Sequence, residues 1–257
     1  MKFIATIALA LAATVSAFAP SNDATARASV AVQETVADLE VLAKKLNPVI
    51  GFYDPINLSA AEFWGTSNES TIGFLRHAEI KHGRVAMFAF VGYCAHANGF
   101  KFPWAMQLDG TPFPSETNPP VLWDTISDSA KWQILSVIAF LEFWSELSTS
   151  DHKHYMSGGK PGDFPDFTSG SEGIPHPVPF NFYDPFKFSA KRSEEAKERG
   201  LLVEINNGRL AMLGIFGFVS ESKVEGSVPA LKGLISHYDG EVMAPFNENI
   251  LGMPFNM

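Results

Sequence analysis

Apolar residues along this chain gather in three stretches, divided by long polar connections rich in proline and glycine. The first covers about 71–98 and closes on Asn98-Gly99, a pair that stops helices because both residues tolerate left-handed backbone. The second covers about 124–147 and is most apolar between Trp132 and Leu141. The third covers about 189–224. None offers eighteen uncharged apolar residues in a row, so plain hydropathy is a weak guide here. Each is still long enough to cross roughly 30 Å of hydrocarbon as a helix. The pattern predicts an all-α membrane protein with transmembrane helices at about 71–98, 124–147 and 189–224, and the charges inside them need a reason.

The N-terminus reads as an address. Lys2 precedes an apolar run over 3–15, then Ser16-Ala17-Phe18-Ala19-Pro20. That run is too short for a span, so residues 1–17 are expected to be a signal peptide. Residues 18–36 are rich in Ser, Ala and Thr, carry Arg27 and hold few acids, as a transit segment does. The junction resembles the two-part leader of proteins sent to plastids of secondary, red-algal origin. Residues 37–257 then form a single domain.

Self-comparison finds a repeat. A shift of 125 lays Glu79-Ile80-Lys81-His82-Gly83-Arg84-Val85-Ala86-Met87 over Glu204-Ile205-Asn206-Asn207-Gly208-Arg209-Leu210-Ala211-Met212. Upstream, Phe52-Tyr53-Asp54-Pro55 recurs as Phe182-Tyr183-Asp184-Pro185. Two copies of a lead-in and a helix imply a pseudo-twofold pair, helices one and three, with the second helix beside them. Small residues at every third position (Gly83, Ala86, Ala89, Gly92; Gly208, Ala211, Gly214, Gly217) predict close backbone approach.

Symmetry also explains the charges. Glu79 and Arg84 are five apart, which is about 140° around a helix, so they do not face each other. Glu204 and Arg209 share that spacing. An unpaired charge deep in a membrane costs at least ~2.5–3.5 kcal/mol. Twofold pairing solves this: Glu79 meets Arg209, and Glu204 meets Arg84. Each carboxylate keeps lone pairs for a hard cation such as a ring magnesium, which favours oxygen or imidazole nitrogen. His82 lies one turn from Glu79, and Asn207 one turn from Glu204.

Glu-x-x-His-Gly-Arg-x-Ala-Met in the first helix and Glu-x-x-Asn-Gly-Arg-Leu-Ala-Met in the third resemble the light-harvesting chlorophyll-binding superfamily, over about 48–240. The leader points to its chlorophyll a/c antenna branch in red-lineage secondary plastids. The resemblance implies Glu79, His82, Glu204 and Asn207 as chlorophyll ligands, with Arg84 and Arg209 as ion-pair partners. It implies Glu142, Gln133, Glu221 and His237 as weaker ligands, with Lys223 as a partner for Glu221 and His237 on a short amphipathic helix near the C-terminus. It places Tyr53, Asp54, Pro55, Tyr183, Asp184 and Pro185 near carotenoids. The implied cofactors are chlorophyll a, chlorophyll c and a fucoxanthin- or peridinin-type carotenoid. The implied role is to absorb light and pass excitation to a photosystem I or II core, beside other antenna subunits and thylakoid membrane lipids.

Composition narrows the field. A net charge of -9 argues against nucleic-acid binding. Cys94 is the only cysteine, which leaves no intrachain disulfide and no thiolate metal site. Twenty-two phenylalanines suit a chain facing lipid or flat ligands. Basic residues cluster where helices one and three begin and after helix two, while the connection over 100–130 holds only Lys101. That asymmetry predicts a stromal N-terminus, parallel outer helices and an antiparallel middle one. A photoprotective, energy-dissipating relative would use the same ligands, and His152 and His154 would be its candidate pH sensors. A di-metal carboxylate enzyme would start from Glu79-x-x-His82, but it needs a second such pair and four helices, and the second copy has Asn207. The sequence therefore predicts a pigment scaffold and not an enzyme.

Overall fold

The computed structural model describes residues 34–149, 152–167, 192–242 and 244–246. The leader and the second lead-in, with Tyr183, Asp184 and Pro185, lie outside the described residues. Helices dominate, and the extended pairing among the described residues is one isolated bridge, Ala105 to Pro112.

The chain enters through α1, Val36–Leu46. Thr35 caps it reciprocally: its hydroxyl accepts from the Asp38 N–H, and the Asp38 carboxylate accepts from the Thr35 N–H at 2.8 Å. Such a capping box satisfies two amides that the first turn leaves without partners. Leu46, at the last turn of α1, joins Ile80 and Ile205 in a small buried cluster flanked by Leu42 and Leu202. Asn206 Nδ2 donates to the Leu46 carbonyl at 3.2 Å and fixes this docking. Sequence reading assigned no helix here.

Two 30-residue helices form the centre: α2, Asn68–Ala97, and, after the connecting segments, α5, Glu194–Lys223. Each starts on a serine, Ser67 or Ser193, whose side chain accepts an N–H three residues on. The third helix was expected to begin near 189. Residues 189–191 are outside the described residues, while Ser193 is extended, so the helix begins at Glu194. The expected second helix over 124–147 is also corrected. It is two helices, α3 (Pro119–Thr125) and α4 (Asp128–Ser145), parted by Ile126-Ser127 in extended conformation. The Ser127 carbonyl takes the first amides of α4, those of Ala130 and Lys131, so Ser127-Asp128 acts as a new helix start.

α2 and α5 meet backbone to backbone. A Cβ placed on Gly208 would lie 2.9 Å from the Cα of Gly83, and one on Gly83 would lie 3.0 Å from the Cα of Gly208. Ala86 and Ala211 are buried beside this contact, and Gly214 receives the Phe90 ring. The small-residue stripe does not stay at the interface throughout. Ala89 is exposed, and a Cβ on Gly92 would meet nothing within 4 Å. Positions three apart advance about 300° around a helix, so the α2 stripe turns off the contact by its third member, while Gly214 on α5 still meets Phe90. By length and composition α5 is the described helix apolar enough to cross a membrane.

The remaining segments brace these helices. Residues 164–167 pack Phe164 and Phe167 on Phe140, Leu141, Trp144 and Leu147, and Trp144 Nε1 donates to the Pro165 carbonyl at 3.1 Å. The short amphipathic helix expected near the C-terminus is a 3-10 turn, Pro229–Leu231, and His237 lies beyond it in non-helical chain. Gly226 and Gly233 take positive φ on either side, which breaks any longer helix. The tail is instead stitched to α3: Asn118 Nδ2 donates to the His237 carbonyl, and the Tyr238 hydroxyl donates to Asp124 at 2.8 Å.

Candidate functional site

The glycine contact brings two arginines across to the opposing carboxylates. Arg84 Nε donates to Glu204 Oε1, and Arg209 bonds Glu79 Oε1 at 2.7 Å through Nε and Nη2. Both pairs run between α2 and α5. Their surroundings differ. Arg76, buried on α2, donates to Glu79 Oε2 at 2.8 Å and to Glu34 Oε2 at 3.2 Å. Glu34, Arg76, Glu79 and Arg209 thus form a chain of alternating charge. The repeat places Leu201 where Arg76 has its counterpart, so Glu204 has one guanidinium and Glu79 has two. Sequence reading missed this role for Arg76 because it worked from symmetry. The signal was the spacing to Glu79, since residues three apart on a helix are neighbours.

Arg84 has a second attachment. Its Nη1 donates to the Gly162 carbonyl at 2.6 Å, and the Gly162 N–H donates to His77 Nδ1 at 3.1 Å. Gly162 has φ +78, and a Cβ there would strike Ile80. Only glycine can turn so tightly between these groups. His77 is buried with its ring stacked on Tyr155, and its Nε2 has no partner among the described residues.

The residues present fit an axial ligand set for ring magnesium. His82 is exposed, and its Nδ1 lies 2.8 Å from the Ala78 carbonyl. A carbonyl only accepts, so Nδ1 carries the proton and Nε2 keeps its lone pair outward, the tautomer a metal needs. Asn207 is exposed with its amide free among the described residues. Glu204 keeps Oε2 without a hydrogen bond among the described residues, beside its pair with Arg84. Glu79 bonds through both oxygens: Oε1 takes Nε and Nη2 of Arg209, while Oε2 takes Arg76 and retains its second lone pair. Its two cations make it the weaker donor of the two carboxylates.

The other candidates divide. Gln133 is exposed with no partner among the described residues, and Glu142 is exposed but held by Lys81 Nζ. His237 shares Nε2 with Asp239 at 2.8 Å. Glu221 is corrected: it is buried and presents no oxygen to a ligand. Its oxygens accept the Gly226 and Val228 amides at 2.8 Å, holding the turn after α5. Lys223 is not its partner and instead donates to the Asp239 and Gly240 carbonyls. In the first lead-in, Tyr53 and Pro55 are exposed, while the Asp54 carboxylate accepts the Leu58 and Ser59 amides. Hydrogen bonding from Ser59 lowers its pKa.

A polar cluster closes the end of α4. Lys81 Nζ reaches Glu142, Glu146 and Ser145. Glu146 Oε2 accepts from the Tyr155 hydroxyl at 2.8 Å and from His154 Nε2 at 2.9 Å. The His154 bond, then those of Tyr155 and the Lys81 charge, hold the Glu146 carboxyl at about 2. Burial, with help from Glu146, pushes the Tyr155 hydroxyl up. His152 pairs with Asp163 at 3.5 Å and lowers its pKa.

Comparison with known proteins gives a consistent result. Residues 39–223 match the profile of the family described as Chlorophyll A-B binding protein. The chain is 32% identical over 224 residues to fucoxanthin-chlorophyll a-c binding protein F, chloroplastic, of Phaeodactylum tricornutum, covering 87% of this chain and 96% of that protein. Protein B of the same organism is 33% identical over 220 residues, covering 85% and 93%. The Trieres chinensis fucoxanthin-chlorophyll a-c binding protein, chloroplastic, is 30% identical over 227 residues, covering 87% and 96%. With a match that runs from α1 to the last residue of α5, and relatives aligned over nearly their whole length, the chain belongs to the chlorophyll A-B binding protein family.

Proposed function

We propose that the chain is a light-harvesting antenna subunit of the plastid thylakoid membrane. α2, α4 and α5 cross the bilayer, the outer two related by a pseudo-twofold axis at Gly83 and Gly208, and the N-terminus is stromal. Lys44, Lys45, Arg76, Lys153, Lys160, Arg192, Lys197 and Arg199 lie toward that side, against Lys101, Lys131, Lys223 and Lys232 on the other. Partners are thylakoid lipids, other antenna subunits and a photosystem core.

The observation that carries the reading is that His82 and Asn207 are exposed beside Glu79 and Glu204, on two helices that crossed ion pairs lock together. Glu142, Gln133 and His237 are further ligands, and Tyr53 borders a carotenoid. The names of the relatives support chlorophyll a, chlorophyll c and fucoxanthin as the pigments. Bound pigment supplies the absorption and the excited state. The chain supplies position. Glu79, His82, Glu204 and Asn207 would hold the rings, and the glycine contact fixes the distance between the two helices that carry these residues.

The test is refolding of residues 30–257 in detergent with chlorophyll a, chlorophyll c and carotenoid. The reading expects a complex of fixed pigment ratio in which light absorbed by carotenoid excites chlorophyll a fluorescence. A folded chain that takes up no pigment overturns it.

A further inference from the structure

The break between α3 and α4 carries a buried cation that the site above does not use. Lys131, in the first turn of α4, is 1% exposed. Lysines near a membrane surface ordinarily extend the ammonium into water. Here Nζ lies 5.6 Å from the centre of the Trp123 ring, on α3, and makes no hydrogen bond or ion pair among the described residues. Asp128 stands one turn earlier and Asp124 takes the Tyr238 hydroxyl, and neither pairs with it. A shielded ammonium without an acceptor is costly, and an anion is the remedy.

Trp123 precedes the break, so the Lys131 side chain runs back along α4 toward its start, as helical side chains do. That start is open. Ser127 makes no side-chain cap there, and the amides of Asp128 and Ser129 have no partner among the described residues. The open first turn of an 18-residue helix adds its partial positive charge to that of the ammonium. The tail closes one flank: Trp123 Nε1 donates to the Pro245 carbonyl at 2.8 Å, and the Phe246 ring lies against Trp132 at 4.8 Å.

Beyond Lys131 the same face of α4 is apolar and uncovered. Ile134 and Ile138 stand three and seven residues on, and both are exposed. The stripe runs about 10 Å along the helix. Gln133 is about 200° around from Lys131, so a pigment held there lies on the other face.

We propose that Lys131 and the open first turn of α4 hold the anionic headgroup of a membrane lipid, with an acyl chain along Ile134 and Ile138. The ammonium and the two amides donate to the headgroup oxygens. A free anion would use the charge alone, whereas an apolar stripe that starts beside the charge fits an anion carrying a hydrocarbon chain. The proposal rests on the antenna reading, in which α4 crosses the bilayer and its first turn stands at headgroup depth.

Wild type, Lys131→Gln, Ile138→Gln and Lys232→Gln are refolded with pigments in nonionic detergent and incubated with phosphatidylglycerol or with a neutral galactolipid. Free lipid is removed, and lipid and pigment per polypeptide are counted after extraction. Wild type is expected to retain phosphatidylglycerol in preference to the galactolipid. Lys131→Gln is expected to retain it about tenfold more weakly, the worth of one charge-assisted contact, with its pigment count unchanged. Lys232→Gln removes an exposed lysine and is expected to match wild type. Equal retention in Lys131→Gln, equal loss in Lys232→Gln, or no preference over the galactolipid overturns the site. Glycerol phosphate at the concentration of the lipid is expected to displace none of it, and displacement marks a small-anion site and overturns the lipid. If Lys131→Gln yields no complex, Ile138→Gln must weaken retention, and failure to do so also overturns the site. A wild type that takes up pigment but no phosphatidylglycerol overturns the lipid site alone. A wild type without pigment overturns the antenna reading itself.

Discussion

At the scale of single residues, the two crossed ion pairs look equivalent in sequence and are not equivalent in the structure. Removing one partner of a partly buried pair leaves the other charge without compensation, at a cost of roughly 3 kcal/mol or more. Arg84→Leu strands Glu204 and also cuts the bond to the Gly162 carbonyl. Arg209→Leu leaves Glu79 still facing Arg76. Arg84→Leu should therefore destabilise the refolded complex more than Arg209→Leu does, by about 1–2 kcal/mol, the worth of one charge-assisted bond. Thermal loss of the visible circular dichroism of the pigments measures this, and equal losses would refute the asymmetry. Adding Arg76→Leu to Arg209→Leu should remove the difference. The pairing itself is legible in sequence because the repeat supplies both halves. The role of Arg76 is not, because Leu201 breaks the repeat at that position and symmetry then hides whatever only one copy has.

Among the helices, the glycine contact decides how near the two carriers of ligand residues stand. The sequence shows small residues every third position and cannot say which of them touch. The structure singles out Gly83 and Gly208, where a methyl group has only backbone to displace. Gly208→Ala should thus force α2 and α5 apart and cost about 1–3 kcal/mol, as overpacking does. Gly92→Ala meets nothing and removes a flexible residue from a helix, so it should be neutral or stabilising by up to ~1 kcal/mol. Melting of the two variants side by side checks the claim, and a harmless Gly208→Ala would place the crossing elsewhere. Helix limits show the same division. Asn98-Gly99 marks a stop that the sequence shows, because it is local chemistry, whereas the starts read as about 71 and 189 fall instead after the caps Ser67 and Ser193. The break at Ile126-Ser127 is hidden inside apolar sequence. α1 was hidden because its capping box follows residues that read as a transit segment.

For the whole molecule, the long connection after α4 must return beneath α2 without loosening it, and polar groups hold it there. Arg84 and His77 grip Gly162, Trp144 grips Pro165, and Glu146 receives Tyr155 and His154. None of this is legible in sequence, since the partners lie far apart along the chain and follow no period. It ties the connection to the same helices whose ligands are proposed to hold pigment. It also gives the latch a pH dependence whose direction follows from Glu146. Its carboxyl ionises at about 2 in the folded chain against an ordinary 4.5. A lowered folded-state value means stability that is fully present above the ordinary value and lost as pH falls toward the folded one. The latch should therefore hold at pH 5 and release between about pH 4.5 and 2. Hydrogen exchange of residues 152–167 in the refolded protein, corrected for the intrinsic pH dependence of exchange, reads this directly. Wild type should show protection at pH 5 that falls away by pH 2.5, whereas Glu146→Gln should show weak protection at both. Protection in wild type that stays constant across the range would mean that Glu146 does not carry the latch, and that the grip of Arg84 and His77 on Gly162 suffices alone.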